Sequence, residues 1–199
     1  MNHRLRIAVA DDEPVMQEFF QESLTRLGHD VIAVAASGEQ LVRQCHELEP
    51  DLVITDIKMP GMDGLDAAQK IYRDRPGPIV VVTAYHDSPF VERAEQNHIL
   101  AYLLKPIQDV DLVPAITIAM RRFEEFQALH KEADNLRQAL DDRKVIERAK
   151  GILMKQAQLD EESAFRRLQK LARSNSKKLV EVARMIVVTA QALEPSDED

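Results

Sequence analysis

The chain has 199 residues, 45% of them hydrophobic and 30% charged, which excludes disordered, collagen-like and membrane-embedded classes of protein. Because Cys45 is the single cysteine, the chain cannot form an intramolecular disulfide, and a structural zinc site is disfavoured. This cysteine content fits a protein of the reducing cytoplasm. The net charge of −8 by itself argues against nucleic-acid binding. The apolar run at residues 5–10 is too short for a signal peptide or a membrane span, so we expect a cytoplasmic protein without a membrane partner.

The charge is distributed unevenly along the chain. Residues 1–140 hold 14 basic and 23 acidic side chains, whereas residues 141–194 hold 12 basic and 8 acidic ones. Residues 195–199 add three acids, and we expect them to form a disordered tail. An acidic first part followed by a basic second part predicts two domains with different partners.

The first 106 residues alternate between short apolar runs and segments of helical periodicity. The runs are rich in β-branched residues, which is typical of parallel strands buried on both faces. They lie at residues 5–10, 31–35, 51–55, 78–83 and 99–104. Between them, Pro14 suits a first helical turn, Gly28 a helix end and Ser37 an N-cap. This alternation predicts an α/β fold with a doubly wound, five-stranded parallel sheet.

The segment after the last predicted strand has a helical pattern. Its apolar residues recur at spacings of three and four, like the seam between two helices. They are Leu112, Ile116, Ala119, Phe123, Phe126, Leu129, Ala133, Leu136 and Leu140. Up to about Met120 we favour packing of this helix on its own sheet. Beyond Phe123 a partner helix is the better interpretation, so we expect a homodimer.

Residues 141–194 predict three short amphipathic helices, forming a small all-α domain after the long helix. Asp160 suits the N-cap of the second helix and Ser176 the start of the third. In the first of these helices the apolar residues share one face. The remaining faces carry basic side chains in two rows, Lys144 with Arg148 and Lys155, and Arg143 with Lys150.

Charged and hydroxyl side chains stand at the carboxyl ends of four predicted strands. They are Asp11 and Asp12, then Asp56, Thr83 and Lys105. In an open α/β sheet these ends meet in one crevice. Carboxylates without nitrogen or sulfur ligands suit Mg²⁺ shared with a phosphate, and one carboxylate can become an acyl phosphate. An ammonium and a hydroxyl group can hold the phosphoryl oxygens. A hydrolytic site of a phosphatase-like enzyme is the alternative interpretation.

The residues around these positions resemble the response-regulator receiver domain, a flavodoxin-like fold, over residues 1–122. The matching motifs are Ala10–Glu13, Asp51–Gly64, Thr83–Ala84 and Lys105–Pro106. The resemblance implies that a sensor histidine kinase phosphorylates Asp56. It also implies a Mg²⁺ site made by Asp11, Asp12, Asp56 and the Lys58 backbone carbonyl, in which Asp12 is the more direct ligand.

The same resemblance implies roles for the remaining residues of the crevice. Lys105 binds the phosphoryl group, and the peptide bond before Pro106 is cis. Thr83 and Tyr102 relay the conformational change that phosphorylation of Asp56 causes. Lys58 and Tyr85 lie two residues after Asp56 and Thr83. Side chains there can shield the acyl phosphate from water, so we predict a long-lived phosphoryl state.

The second part of the chain is similar to the ANTAR output domain over residues 136–193. The motifs are Arg143–Met154, Glu162–Leu168 and Lys178–Ala183. The resemblance implies binding to paired hairpin loops in a leader RNA and transcription antitermination. Carried over by position, the RNA-binding candidates are Arg143, Lys150 and Gly151, joined on the basis of charge by Arg148, Arg166, Lys177 and Lys178. A glycine inside a helix costs about 1 kcal/mol relative to alanine, so we expect another helix or RNA to approach Gly151 closely.

These observations together predict a two-component response regulator, not an enzyme. We predict a receiver domain at 1–122, a helical coiled-coil linker at 123–140, an RNA-binding domain at 141–194 and a tail at 195–199. Phosphorylation would shift a dimer equilibrium so that two RNA loops are bound together. The alternatives are a DNA-binding regulator and a helical tail that only dimerises.

Overall fold

The computed structural model describes residues 4–84 and 99–193. The chain divides into two compact units, Met1–Gln127 and Ala128–Asp199. Tyr85 and the acidic residues 195–199 lie outside the described residues. In the part of the chain that is described, no helix is long and apolar enough to cross a membrane.

The first unit is built on a five-stranded parallel sheet, as the sequence predicts. Its strands are β1 (Arg6–Ala10), β2 (Asp30–Ala35), β3 (Leu52–Asp56), β4 (Ile79–Thr83) and β5 (Ala101–Leu104), in the order β2-β1-β3-β4-β5. The order changes direction at β1, which lies between β2 and β3. Such a switch point opens a crevice at the carboxyl ends of the strands.

The five strands differ in burial. In β3 and β4 every residue is buried, because the chain packs on both faces of the sheet. The expectation of burial on both faces is wrong for β5, in which Tyr102 is 54% exposed and Leu104 46% exposed. Because side chains alternate between the two faces of a strand, buried Ala101 and Leu103 lie on one face of β5 and exposed Tyr102 and Leu104 on the other, which the described residues leave uncovered.

Helices pack on both faces of the sheet. They are α1 (Pro14–Arg26), α2 (Gly38–Leu48) and α3 (Gly64–Asp74). Phe20 and Leu24 of α1 belong to the core on one face, and Leu41 of α2 and Leu65 of α3 to the core on the other. Ser37 caps α2 as predicted, since its side chain accepts a hydrogen bond from the Gln40 backbone N–H.

A single long helix, α4 (Asp109–Ala157), follows β5 and includes the first of the three helices predicted for the second domain. Near its start Leu112, Ile116 and Ala119 are buried in the core of the sheet, which confirms the interpretation up to Met120. Further along, the large apolar residues of the predicted seam are exposed to solvent. Their exposed fractions are 41% for Phe126, 66% for Leu129, 61% for Leu136 and 59% for Leu140.

The second unit packs the end of α4 against α5 (Glu161–Ser174) and α6 (Leu179–Leu193). Its core contains Ala149 and Leu153 of α4, Leu168 of α5 and Val182 of α6. Asp160 caps α5 as predicted by accepting a hydrogen bond from the Ser163 backbone N–H at 2.7 Å. The prediction that Ser176 begins the third helix is wrong. Its φ of 51° and its backbone bond to Arg173 place it in the turn that ends α5.

Candidate functional site

The carboxyl ends of the strands form an acidic cavity in the first unit. Its lining residues are the last residues of β3 and β4 and residues that come shortly after β1, β3, β4 and β5. They are Asp12, Glu13, Asp56, Lys58, Thr83, Ala84 and Lys105. Residues that lie far apart in the sequence therefore meet at one point, as the topology predicts. The peptide bond between Lys105 and Pro106 is cis, as the resemblance implies.

Asp56 lies at the centre of this cavity and is contacted through both carboxylate oxygens. Its Oδ1 is 3.3 Å from the Lys105 Nζ, and its Oδ2 accepts a hydrogen bond from the Lys58 backbone N–H at 3.0 Å. Burial raises the pKa of Asp56, and the charge of Lys105 offsets this only in part. A buried carboxylate with a raised pKa beside an ammonium group is a common feature of reactive sites.

Lys105 links Asp56 to the acidic residues that follow β1. Its Nζ donates a hydrogen bond to Asp11 Oδ2 at 2.8 Å and lies 3.4 Å from Glu13 Oε1. Burial on its own lowers the pKa of Lys105, but the hydrogen bond to Asp11 and the charge of Asp56 outweigh it, and the pKa is raised. Lys105 is therefore a fixed positive charge at neutral pH, positioned beside an oxygen of Asp56.

The acidic residues after β1 supply oxygen atoms suited to a divalent cation. Carboxylate oxygens of Asp11, Asp12 and Glu13 lie within 4.8 Å of one another. Asp11 is fully buried, and its Oδ1 accepts a hydrogen bond from the Glu13 backbone N–H, whereas Asp12 is exposed. A set of hard oxygen ligands fits Mg²⁺, and Asp12 is better placed than Asp11 to bind it directly. Glu13 was not predicted as part of this set, although it follows Asp12 immediately in the sequence.

Thr83 and Tyr102 occupy different surroundings. Thr83 ends β4, is buried and lines the cavity. Tyr102 lies on β5 opposite Val81, and its side chain is more exposed than buried. The structure thus brings Thr83 to the predicted site and leaves Tyr102 on the edge strand.

Gly64, at the start of α3, supports the position of Asp56. The Gly64 backbone N–H donates a hydrogen bond to the Ile57 carbonyl oxygen at 2.8 Å, just after Asp56. A Cβ atom at Gly64 would overlap the carbonyl oxygen of Asp56 and crowd the Thr55 hydroxyl group. Only glycine leaves room for this close approach. The residue lies in the matched motif, but nothing in the pattern showed what it contacts.

We expect Gly64→Ala to displace Asp56 and to slow phosphorylation by a small phosphodonor about tenfold or more, since small displacements of reacting groups are costly. The free energy of unfolding should fall by about 1–3 kcal/mol because of the overlap. Gly77→Ala is the matched control, because a Cβ there meets nothing within 4 Å. Equal phosphorylation rates in the two variants would contradict this role of Gly64.

Five of the seven predicted RNA contacts in the second unit are exposed cations, and these five divide into two groups. Arg143, Arg148, Lys177 and Lys178 are exposed, and among the described residues none of their side chains has a carboxylate partner. Arg166, by contrast, forms an ion pair with Glu162 one turn earlier on the same helix. The four exposed cations are available to a polyanion.

The prediction that Lys150 lies in an exposed basic row is wrong. Lys150 is 8% exposed, and its Nζ lies 2.7 Å from Glu161 Oε1 and 3.0 Å from Glu147 Oε2. The ammonium also lies 5.8 Å from the centre of the Phe165 ring. Hydrogen bonds to Glu161 and Glu147 raise its pKa. Lys150 therefore ties α4 to the first turn of α5.

Gly151 lies beside Lys150 on α4 and is half-buried. A Cβ atom built there meets nothing within 4 Å. Within the described part of the chain, the expected close approach of another helix to Gly151 is therefore not found. Contact of RNA with Gly151 stays a prediction.

The chain matches two family models. The response regulator receiver domain matches residues 7–117, and the ANTAR domain matches residues 134–187. The transcriptional regulatory protein PdtaR of Mycobacterium tuberculosis is 39% identical over 184 residues, which cover 92% of this chain and 90% of that protein. The DNA-binding response regulator MtrA of Mycolicibacterium smegmatis is 35% identical over 122 residues, 61% of this chain and 53% of that protein.

A solved structure has the same fold as the first unit. The signal receiver domain of a modulated diguanylate cyclase from Desulfovibrio desulfuricans G20 superposes with a TM-score of 0.58 and is 27% identical. The superposition covers 61% of this chain and 98% of that one. The receiver match contains the acidic cavity, and the ANTAR match contains all the predicted RNA contacts.

Proposed function

Since the chain belongs to the response-regulator family, with a receiver domain followed by an ANTAR domain, we propose that phosphorylation of Asp56 controls its binding to RNA. Both matched domains are regulatory. Their combination makes the chain a two-component response regulator that acts by RNA-binding antitermination rather than by binding DNA. Such a regulator works where transcripts are made, which supports a cytoplasmic location.

The first step is phosphoryl transfer to Asp56 from a histidine of a sensor kinase. A carboxylate oxygen of Asp56 attacks phosphorus, the phosphorus–nitrogen bond breaks, and the electron pair leaves with the histidine ring. Lys105, 3.3 Å from Asp56 Oδ1, neutralises charge on the phosphoryl oxygens, and Thr83 donates a hydrogen bond to them. This juxtaposition of Asp56 and Lys105 is the observation that carries the proposal.

The donor set of the cavity fits a divalent cation. Asp11, Asp12, Asp56 and the Lys58 carbonyl would hold Mg²⁺, which supplies positive charge to the transferred group. Asp11 keeps Lys105 in place through their hydrogen bond at 2.8 Å. The chain takes up one phosphoryl group and does not turn over substrate as a phosphatase does. Release of many phosphates per chain from a phosphodonor would favour the enzymatic alternative.

The phosphoryl group acts on the second domain through dimerisation. The exposed seam of α4 at Phe126, Leu129, Leu136 and Leu140 has the spacing of a two-stranded coiled coil. Pairing of two chains along this seam brings two RNA-binding domains into one particle. Two weak sites joined in this way gain avidity for an RNA with two hairpins.

We assign the receiver domain to residues 1–122, the coiled-coil linker to 123–140 and the RNA-binding domain to 141–194, followed by the acidic tail. The four exposed cations Arg143, Arg148, Lys177 and Lys178 contact RNA phosphates, and Gly151 offers an open backbone surface. Arg166 is a weaker contact, since it is already paired with Glu162. Lys150 acts by holding α5 against α4.

Competition between RNA and DNA tests this function. We expect the phosphorylated chain to bind a pool of RNA hairpins with a fixed stem and a randomised loop. The hairpins that bind are selected from this pool, and one of them is labelled. At one stated salt concentration, the same hairpin without the label should displace the labelled RNA, whereas duplex DNA of the same stem sequence should not. Equal displacement by duplex DNA would contradict the proposed function and favour a DNA-binding regulator.

A further inference from the structure

The second unit contains a cavity between the end of α4, α5 and α6, and Lys177 is the only predicted RNA contact among its described lining residues. Its apolar walls include Leu153, Leu171, Val182 and Ile186. Leu153 and Val182 also belong to the core of the unit, so the cavity is a depression in a packed structure. On α6 it is bordered by Met185, which is 55% exposed.

Both charged residues described around this cavity are cations, and the other polar residues are neutral. They include the cations Arg167 and Lys177 and the amides Gln156 and Asn175, and no aspartate or glutamate of the described residues 4–84 and 99–193 lines the cavity. Among residues 4–84 and 99–193, the side chains of Gln156, Arg167 and Lys177 make no hydrogen bond or ion pair. Two cations and an amide thus remain available beside an apolar depression.

The amide of Asn175 adds a directional feature. Its Nδ2 donates a hydrogen bond to the Leu171 carbonyl oxygen at 2.8 Å, which fixes the side chain at the end of α5. Because that bond uses the amino group, the Oδ1 atom remains as an acceptor. Gln156 supplies a second amide, which can both donate and accept. The cavity therefore has apolar walls, hydrogen-bonding groups at its border and positive charge close by.

A nucleobase in single-stranded RNA has this combination of properties in complementary form. Its faces are apolar and pack on side chains, its edges donate and accept hydrogen bonds, and its flanking phosphates are anionic. We propose that the cavity receives one unpaired base of an RNA loop, with Arg167 and Lys177 against the neighbouring phosphates. This rests on the proposed RNA-binding function and adds a base-binding site to it.

Filling the cavity tests the proposal. Ala190 lines it and is half-buried, whereas Ala192, two residues further along α6, is exposed and does not line it. Against a hairpin selected on the unaltered full-length chain, Ala190→Phe should weaken binding about tenfold or more. Ala192→Phe should change it by less than about twofold. The salt dependence of binding should stay the same in both, because neither substitution removes a cation.

Removing bases from the RNA identifies the occupant. In the selected hairpin each loop position is replaced in turn by an abasic nucleotide. At one loop position the abasic replacement should weaken binding to the unaltered chain and to Ala192→Phe about tenfold. At that position it should not weaken RNA binding by Ala190→Phe beyond the loss that this substitution already causes. Equal losses with all three proteins at every loop position would overturn the proposal, since the cavity would then hold no base.

A second variant covers the case in which Ala190→Phe unfolds, as judged by its thermal unfolding. Gln156→Glu places a carboxylate at the border of the cavity without adding bulk, and it should also weaken hairpin binding about tenfold. Unchanged hairpin binding by Gln156→Glu would overturn the proposal. It would also be overturned if light scattering showed that the chain self-associates through this face and that RNA does not reverse the association. If the unaltered chain binds no hairpin at all, it is the proposed function that fails.

Discussion

Asp56→Asn is expected to abolish uptake of a phosphoryl group from acetyl phosphate in the presence of Mg²⁺. The unaltered chain should take up one group, seen as an increase in intact mass. The asparagine side chain has the same size but lacks the anionic oxygen that attacks phosphorus. Asp74→Asn is the matched control, because Asp74 is an exposed carboxylate at the end of α3, outside the cavity. It should be phosphorylated like the unaltered chain.

The stability of Asp56→Asn separates loss of chemistry from loss of fold. Because burial raises the pKa of Asp56, the folded state disfavours the ionised carboxylate at neutral pH. A neutral side chain removes this cost, so the free energy of unfolding should not decrease. Uptake of a phosphoryl group by Asp56→Asn at the level of the control would contradict the assignment of Asp56 as the acceptor.

Leu136→Lys is expected to prevent dimerisation of the phosphorylated chain. Leu136 is 61% exposed on α4 and lies in the predicted seam, where a lysine would place charge between two helices. Binding to an RNA with two hairpins should weaken about 10²–10⁴-fold through loss of avidity. Binding to a single hairpin should be unchanged. Sedimentation velocity and RNA titration measure the two effects.

Asn135→Lys controls for the added charge. Asn135 is the neighbouring exposed residue of α4, and helical geometry points it about 100° away from Leu136, outside the seam. We expect this variant to dimerise and to bind RNA like the unaltered chain. Dimers of Leu136→Lys that match those of Asn135→Lys would show that the chains associate through another surface.

The acidic cavity could be predicted from the sequence because a topological rule fixes its location. Once Asp56, Thr83 and Lys105 are placed at strand ends, the parallel sheet brings them to one edge. Apolar runs and capping residues gave the number of strands and the start of α2 correctly. The exposure of Tyr102 and Leu104 on β5 could not be predicted, because an apolar run does not show which face of its strand other elements cover.

Features that depend on contacts between distant elements were beyond the sequence pattern. Lys150 falls on a basic row when α4 is considered alone, but Glu161 at the start of α5 packs over it. Gly64 is one residue of a motif until α3 is seen against the backbone of Asp56. Helical periodicity describes one helix at a time and contains no information about the neighbour that covers it.

The most direct test of the account is the dissociation constant of the full-length chain for an RNA with two hairpins. It is measured at one salt concentration, with and without beryllofluoride in the presence of Mg²⁺. Beryllofluoride bound to Asp56 imitates the acyl phosphate. The mimic should tighten binding about 10²-fold or more in the unaltered chain and not at all in Asp56→Asn. The same dissociation constant with and without the mimic in the unaltered chain would contradict it.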